Sequence, residues 1–190
     1  MIPDVVLRAW RDDDQHAWES IAWAPETVEF LGEPGSPWLP KGDLVTATPE
    51  FVQVQAAICT PGDEVVGMVT LFGTPPEPAD VTIAVRPDLL GKGYGTAGAI
   101  DAARLAFTVH PEVKISGLVR AGNDRSRKLV TALGLRLTAS DDEDYLRIVP
   151  AGKVELLRGR LAHTLRVIAT TKPEMQAWLA EADALLDRMR

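Results

Sequence analysis

The residues with the clearest chemical potential form one short run, Val85-x-Pro87-x-x-x-Gly91-Lys92-Gly93-Tyr94-Gly95-Thr96. Glycine tolerates positive φ and leaves neighbouring main-chain amides uncovered. Where such a run opens a helix, free N–H groups and the positive end of the macrodipole together suit a phosphate or pyrophosphate. Lys92 adds a point charge. A nucleoside-triphosphate loop is excluded, because Lys92 is followed by Gly93 and not by Ser or Thr. Gly93-x-Gly95-x-x-Gly98 matches a dinucleotide fingerprint literally. That fingerprint, however, belongs directly after the first strand of its fold, and here a proline-containing connection and much of the chain come first. A glycine-rich turn that binds nothing is the remaining bland alternative.

The elements that position this turn can be read from pattern. Residues 5–10 form a first strand, and Asp12, Asp13 and Asp14 offer caps and favourable charge to a following helix. Trp18, Ile21 and Ala22 fall at helical spacing, with Pro25 ending or kinking that helix. A second short helix spans 27–31, and the Pro- and Gly-rich stretch 32–42 is a loop. Residues 52–59 and 65–72 flank a Pro-Gly-Asp turn and predict a hairpin. A strand follows over 81–85, then a helix over 96–109 with Ile100, Ala103 and Phe107 inward. Residues 113–119 predict a strand and 126–133 a short helix stopped by Gly134. Strands follow at 135–137 and 145–149, and residues 154–157 pair as a further one. A final helix spans 173–189, with Met175, Trp178, Leu179, Ala182, Leu185, Leu186 and Met189 on one face. This order predicts an α/β domain around one mixed sheet, with a division into residues 1–158 and a C-terminal helical extension, 159–190.

The glycine run resembles the acetyl-CoA signature of the GNAT superfamily of N-acetyltransferases. A second stretch, Asn123-x-x-Ser126-x-x-Leu129-x-x-x-Leu133-Gly134-Leu135, resembles that family's second motif, N-x-x-S/A-x-x-L-x-x-x-L-G-F. Leu7-Arg8 before an acidic helix start is similar to the branch of ribosomal-protein N-terminal alanine acetyltransferases (RimJ/RimL-like). The likeness covers residues 5–150. Some positions depart from the pattern: Leu90 stands where Arg or Gln is common, Val130 where many members carry a tyrosine that protonates the leaving thiolate, and Leu135 replaces Phe.

The resemblance implies the GNAT acyl-CoA N-acyltransferase fold, in which one strand splays from its neighbour and the cofactor pairs with the open edge. That edge would be Ile83, Ala84 and Val85. The pyrophosphate would lie on Leu90, Gly91, Lys92, Gly93, Tyr94, Gly95 and Thr96, with Asn123, Ser126 and Arg127 also on the cofactor side and Lys128 within reach of its phosphates. A backbone N–H near Val85 would polarise the thioester carbonyl. Asp80 is the candidate base, sharing a strand face with Thr82 and Ala84; otherwise it is a solvated acid ending a loop. Ser126 is the candidate acid for the thiolate, or else a helix cap in competition with Asn123. Trp18, Trp23 and Trp38 come from the region that roofs the acceptor pocket in relatives, though buried tryptophans are usually core. The acidic groups at 12–14 and 141–144 suit either a cationic amine or solvent.

The implied activity is acetyl transfer from acetyl-CoA to a primary amine, on a protein N-terminus or a small molecule, directly within a ternary complex. A noncatalytic acyl-CoA-binding or protein-interaction module of the same fold is the alternative. Composition sets the outer limits. The 190 residues carry 20 Lys and Arg against 27 Asp and Glu, a net charge of -7 with no cationic run, which argues against nucleic acid as the main partner. No apolar run reaches membrane-spanning length and no secretion signal is visible, so a cytoplasmic protein without a membrane partner is expected. Cys59 is the single cysteine; it precludes an internal disulfide, lies in neither motif and suggests no acyl-cysteine intermediate. His16, His110 and His163 lack ligand spacing, so no metal is expected. The apolar face of the last helix serves either packing on its own sheet or a homodimer contact.

Overall fold

The computed structural model describes residues 2–35 and 42–171, together with positions 181 and 184. Trp38 and the helix expected over 173–189 lie outside the described residues. Among the described residues eight strands form one sheet, in the order first, third, fourth, fifth, sixth, eighth, seventh, with the second beside the third. Strands β1 (Val6–Arg8) and β2 (Val45–Thr48) divide one edge of β3 (Phe51–Cys59) between them. The expected hairpin is β3 and β4 (Val65–Gly73), turned at Asp63 with φ +68°. Antiparallel pairing carries on through β5 (Ala79–Val85), and β6 (Ile115–Arg120) then joins in parallel. Strand β8 (Tyr145–Ala151) lies between β6 and β7 (Leu137–Ala139). The α/β architecture around one mixed sheet is as expected.

Strict alternation along the hairpin sends Val52, Val54, Ile58, Val69 and Leu71 to one face, where they are fully buried. There they meet Ala99, Ala102, Ala103, Ala106 and Phe107 of helix α3 (Tyr94–Val109) in the main core. The other face is covered only in part. Ile21 and Trp18 of α1 (Gln15–Ala22) pack over Ala57, Ala84 and Met68. Asp12–Asp14 form a 3-10 turn ahead of α1, and Pro25 is the first residue of α2 (Pro25–Leu31), the position at which a missing N–H costs nothing.

A half-buried cluster of ion pairs ties the amino-terminal segment to the hairpin. The Arg8 guanidinium donates to Asp14 (2.5 and 2.9 Å) and to Asp63 Oδ1 (2.7 Å), while Arg11 pairs with Asp63 Oδ2. Hydrogen bonds from Arg8 hold the Asp14 carboxyl below the usual carboxylate range, and those from Arg8 and Arg11 do the same for Asp63.

One expectation needs correction. Residues 154–157 are not a strand but the first turns of α5 (Lys153–Thr171). Leu156 is buried and its amide donates to Gly152 O (3.0 Å), while Val154, Leu157 and Leu161 are exposed at helical spacing. Three apolar residues in a four-residue segment do not distinguish the two structures, and the longer helical register prevails. Helix α5 runs unbroken through 158–159. Strand β2 was not anticipated; its row of Val45-Thr-Ala-Thr48 follows a loop and is largely exposed.

Candidate active site

The glycine turn lies at the C-terminal end of β5. Pro87–Leu89 make one 3-10 turn, and α3 begins at Tyr94, two residues earlier than expected. Gly93 occupies the position before the helix with φ +92°, and Gly91 has φ +78°, both in the left-handed region. Two amides of the turn are engaged internally: Leu90 donates to Pro87 O and Lys92 to Leu89 O, both at 3.3 Å. The first helical bond runs from Ala97 N to Gly93 O (3.0 Å). The N–H groups of Gly93, Tyr94, Gly95 and Thr96 therefore have no acceptor among the described residues, and no side chain caps the helix. A Cβ on Gly95 would press on Leu129 Cδ1 (3.2 Å) and Val85 Cγ2 (3.3 Å), so these side chains would have to give by a few tenths of an ångström for α3 to start this close to β5 and to α4 (Asp124–Ala132).

Arg86 anchors the approach to this turn. Its guanidinium grips Asp88 with two bonds (2.7 and 3.1 Å) and reaches Glu64 Oε1 at 2.8 Å, in the turn of the β3–β4 hairpin. The bonds from Arg86 hold the Asp88 carboxyl below its usual range. Sequence reasoning missed Arg86, although Arg-Pro-Asp is a local signal for such a clamp.

Strands β5 and β6 part immediately after they meet. Only Ala79↔Ile115 and Asp80↔Ser116 pair. Beyond Ser116, β6 follows β8, which carries one extra residue opposite Ser116 in the step from Ile115↔Ala151 to Gly117↔Ile148. The buried Ser116 hydroxyl fills the irregularity by donating to Ile148 O (3.0 Å). Main-chain direction on β5 is fixed at both ends: Ala79 N donates toward β6, to Lys114 O (2.7 Å), and Arg86 N toward β4, to Val66 O (2.9 Å). By alternation Val81, Ile83 and Val85 turn their N–H groups toward the β6 side; the Asp80↔Ser116 pairing takes up that of Val81, so those of Ile83 and Val85 face the gap, while Thr82 and Ala84 turn theirs to β4. Ala84 also buries its side chain against the Ile21 cluster.

Asp80 stands at the apex of this gap, exposed, beside Phe72 on β4 and Ser116 on β6. Five residues of strand, about 17 Å at ~3.3 Å each, separate it from Val85, so the Asp80 carboxylate and the Val85 N–H do not meet at one carbonyl. The nearer open amide is that of Ile83.

Helix α4 flanks the gap. Asn123 is its cap, accepting a bond from Ser126 N (3.0 Å), so Ser126 itself is not the cap. Val130 is buried against Val119 and Ile148; the tyrosine position of the second motif is filled by core. Arg127 is exposed and 3.6 Å from Asp124; with Lys128, Thr131, Leu137 and His163 it lines an open depression on the outer side of α4. Trp18 is buried core, and Trp23 is exposed at the end of α1. Burial pushes the Cys59 thiol up, and nothing places it near the gap.

Residues 4–136 match the family described as Acetyltransferase (GNAT) domain, and the chain belongs to that family. No curated protein matches it in sequence. Among solved structures it is similar to spermidine N-acetyltransferase from Vibrio cholerae in complex with CoA and spermine, at TM-score 0.61 and 14% identity, covering 80% of this chain and 98% of that one. It is also similar to a GNAT-family acetyltransferase from Bacillus anthracis, at TM-score 0.59 and 11% identity, over 78% and 93% of the two chains. Acetyl-CoA is the cofactor of this family, and the residues fit it: unpartnered amides at the helix mouth suit its diphosphate, and an open strand edge suits its amide-bearing arm.

Proposed function

We propose that the protein transfers the acetyl group of acetyl-CoA to a primary amine, directly and within a ternary complex. The observation that supports this most is the continuity between two open features of one strand and turn. The unpaired N–H groups of Gly93–Thr96 lie at one end, and the unpaired edge of Val85 and Ile83 leads from there toward Asp80. The bound cofactor supplies the activated thioester. Asp80 accepts the ammonium proton of the acceptor, directly or through water. The N–H of Ile83 would donate to the carbonyl oxygen as the N–C bond forms and the C–S bond breaks. Ser126 passes a proton to the departing sulfur and recovers one from solvent; water replaces it if its hydroxyl is dispensable. Asn123 sets the start of α4, and Arg127 and Lys128 attract the cofactor's outer phosphates.

Two acceptor classes fit this reading. Ribosomal-protein-like N-termini are suggested by the amino-terminal pattern, and polyamines by the named activity of the Vibrio cholerae structure. A noncatalytic acyl-CoA-binding module is the second reading, favoured by the burial of Val130 where many members carry the proton donor. Thiol release from acetyl-CoA across a panel of peptides, polyamines and simple amines tests all three. Turnover with any acceptor, reduced about 100-fold or more by Asp80→Asn, supports the enzyme. Tight acetyl-CoA binding without turnover on the whole panel overturns it in favour of the module.

A further inference from the structure

On the face of the sheet away from α3, the register places side chains in rows. Gln53, Phe72 and Asp80 form one row, and Gln55, Thr70 and Thr82 the next. Helix α1 covers the row after that, Ala57–Met68–Ala84, and goes no further. Among the described residues nothing covers the Asp80 end of this face: Phe72 is 50% exposed, and Asp80 and Thr82 are exposed beside it. Directly opposed residues on antiparallel strands hold their side chains ~5 Å apart at Cβ, so the Phe72 ring and the Asp80 carboxylate stand side by side. Phe51 meets Phe72 edge-on, with ring centroids 5.3 Å apart and planes at 76°, which fixes the ring's orientation. Among the described residues Asp80 has neither an ion pair nor a side-chain hydrogen bond, although Arg8, Arg11, Arg86, Arg104 and Arg127 all pair with other acids.

An unpaired carboxylate beside an accessible aromatic ring is complementary to one kind of small molecule. The carboxylate matches a positive nitrogen, and the ring attracts the same charge through its quadrupole while covering the adjoining methylenes. An anion is repelled, and a neutral alcohol leaves the carboxylate unmatched. We propose that Phe72, braced by Phe51, is a specificity-determining residue that, with Asp80, receives the acceptor as an alkylammonium ion on this open half of the sheet. The word acceptor rests on the transferase reading above; the binding of an alkylammonium ion does not.

Calorimetric titration of the CoA-loaded protein with butylammonium chloride and with 1,4-diaminobutane tests the recess, with n-butanol as the uncharged control. Wild type is expected to bind both amines and not the alcohol. Phe72→Ala should weaken amine binding about tenfold, and Phe72→Tyr should keep it within about threefold, with CoA affinity held in both. Should Phe72→Ala fail to fold, Asp80→Asn asks the same question, and loss of amine binding is again the expected result. Amine binding indifferent to both substitutions, equal binding of butanol, or no amine binding at all overturns the proposal. So does a dimer in light scattering that Phe72→Ala dissociates, since a second copy would then cover the face. Phe72-dependent binding without thiol release keeps the recess and removes the transferase reading; turnover with an acceptor KM unmoved in Phe72→Ala does the reverse.

Discussion

The main chains of Gly134 and Gly159 touch. A methyl group on Gly134 would overlap the carbonyl carbon of Gly159, and one on Gly159 would overlap the carbonyl oxygen of Gly134. Gly134 ends α4 with φ +72°, and its turn is closed by Leu135 N donating to Val130 O (3.0 Å). Gly159 is in the second turn of α5, and the next residue, Arg160, donates to Ala132 O at 2.9 Å. Helix α5 therefore closes the carbonyl end of α4, the helix that brings Asn123 and Ser126 to the cofactor gap.

Gly159→Ala tests that contact cleanly, because its own backbone is helical and alanine favours a helix. Backbone has to move, since neither neighbour is a flexible side chain. We expect a loss of at least about 2 kcal/mol in urea unfolding, where an exposed helical Gly→Ala change would instead gain ~1 kcal/mol.

At the glycine turn, Gly93→Val combines a left-handed φ with a β-branched side chain. Acetyl-CoA affinity by calorimetry should fall tenfold or more (~1.4 kcal/mol) while the far-ultraviolet spectrum is kept. Gly95→Val is a less clean probe, because its Cβ already meets Leu129 and Val85 and the helix itself would shift.

Arg86 holds the turn but does not reach the amides. Arg86→Ala should raise the KM for acetyl-CoA about threefold to tenfold with kcat little changed. Arg86→Lys should recover only part, since an ammonium cannot reproduce the two-pronged grip on Asp88. A fall in kcat with unchanged KM would give Arg86 a different role.

Acid should weaken the fold through Asp14. Its carboxyl is held low by Arg8, so it contributes stability above the ordinary carboxylate value near 4 and loses it as pH falls through the depressed folded value. At neutral pH Asp14→Asn should cost about 2 kcal/mol. Urea midpoints of wild type and variant should converge as pH drops from 5 toward 2, and the gap between them should be flat from 5 to 8.

What the sequence disclosed depended on how local each signal was. The hairpin, α3 and the two motifs are written in consecutive residues: alternation in 52–59, a stripe at Ala103 and Phe107, glycines at a helix mouth. The start of α5 was misread because Val154 to Leu157 is too short a run to show a period, and the contact that settles it, Gly159 on Gly134, joins distant segments. The Phe72–Asp80 pair needed register, which a one-residue slip would invert. Likewise Arg8 and Asp63 meet only once β1 lies against β3, and nothing in either neighbourhood announces the other.

Cys59 shows no solvent-accessible surface, and its thiol is pushed up by the apolar surroundings. Folded protein should thus stay silent toward a disulfide dye such as Ellman's reagent, so yellow colour developing in an acetyl-CoA assay would come from liberated coenzyme alone. The same dye, applied in denaturant, turns this one sulfur into a clock for global opening of the chain.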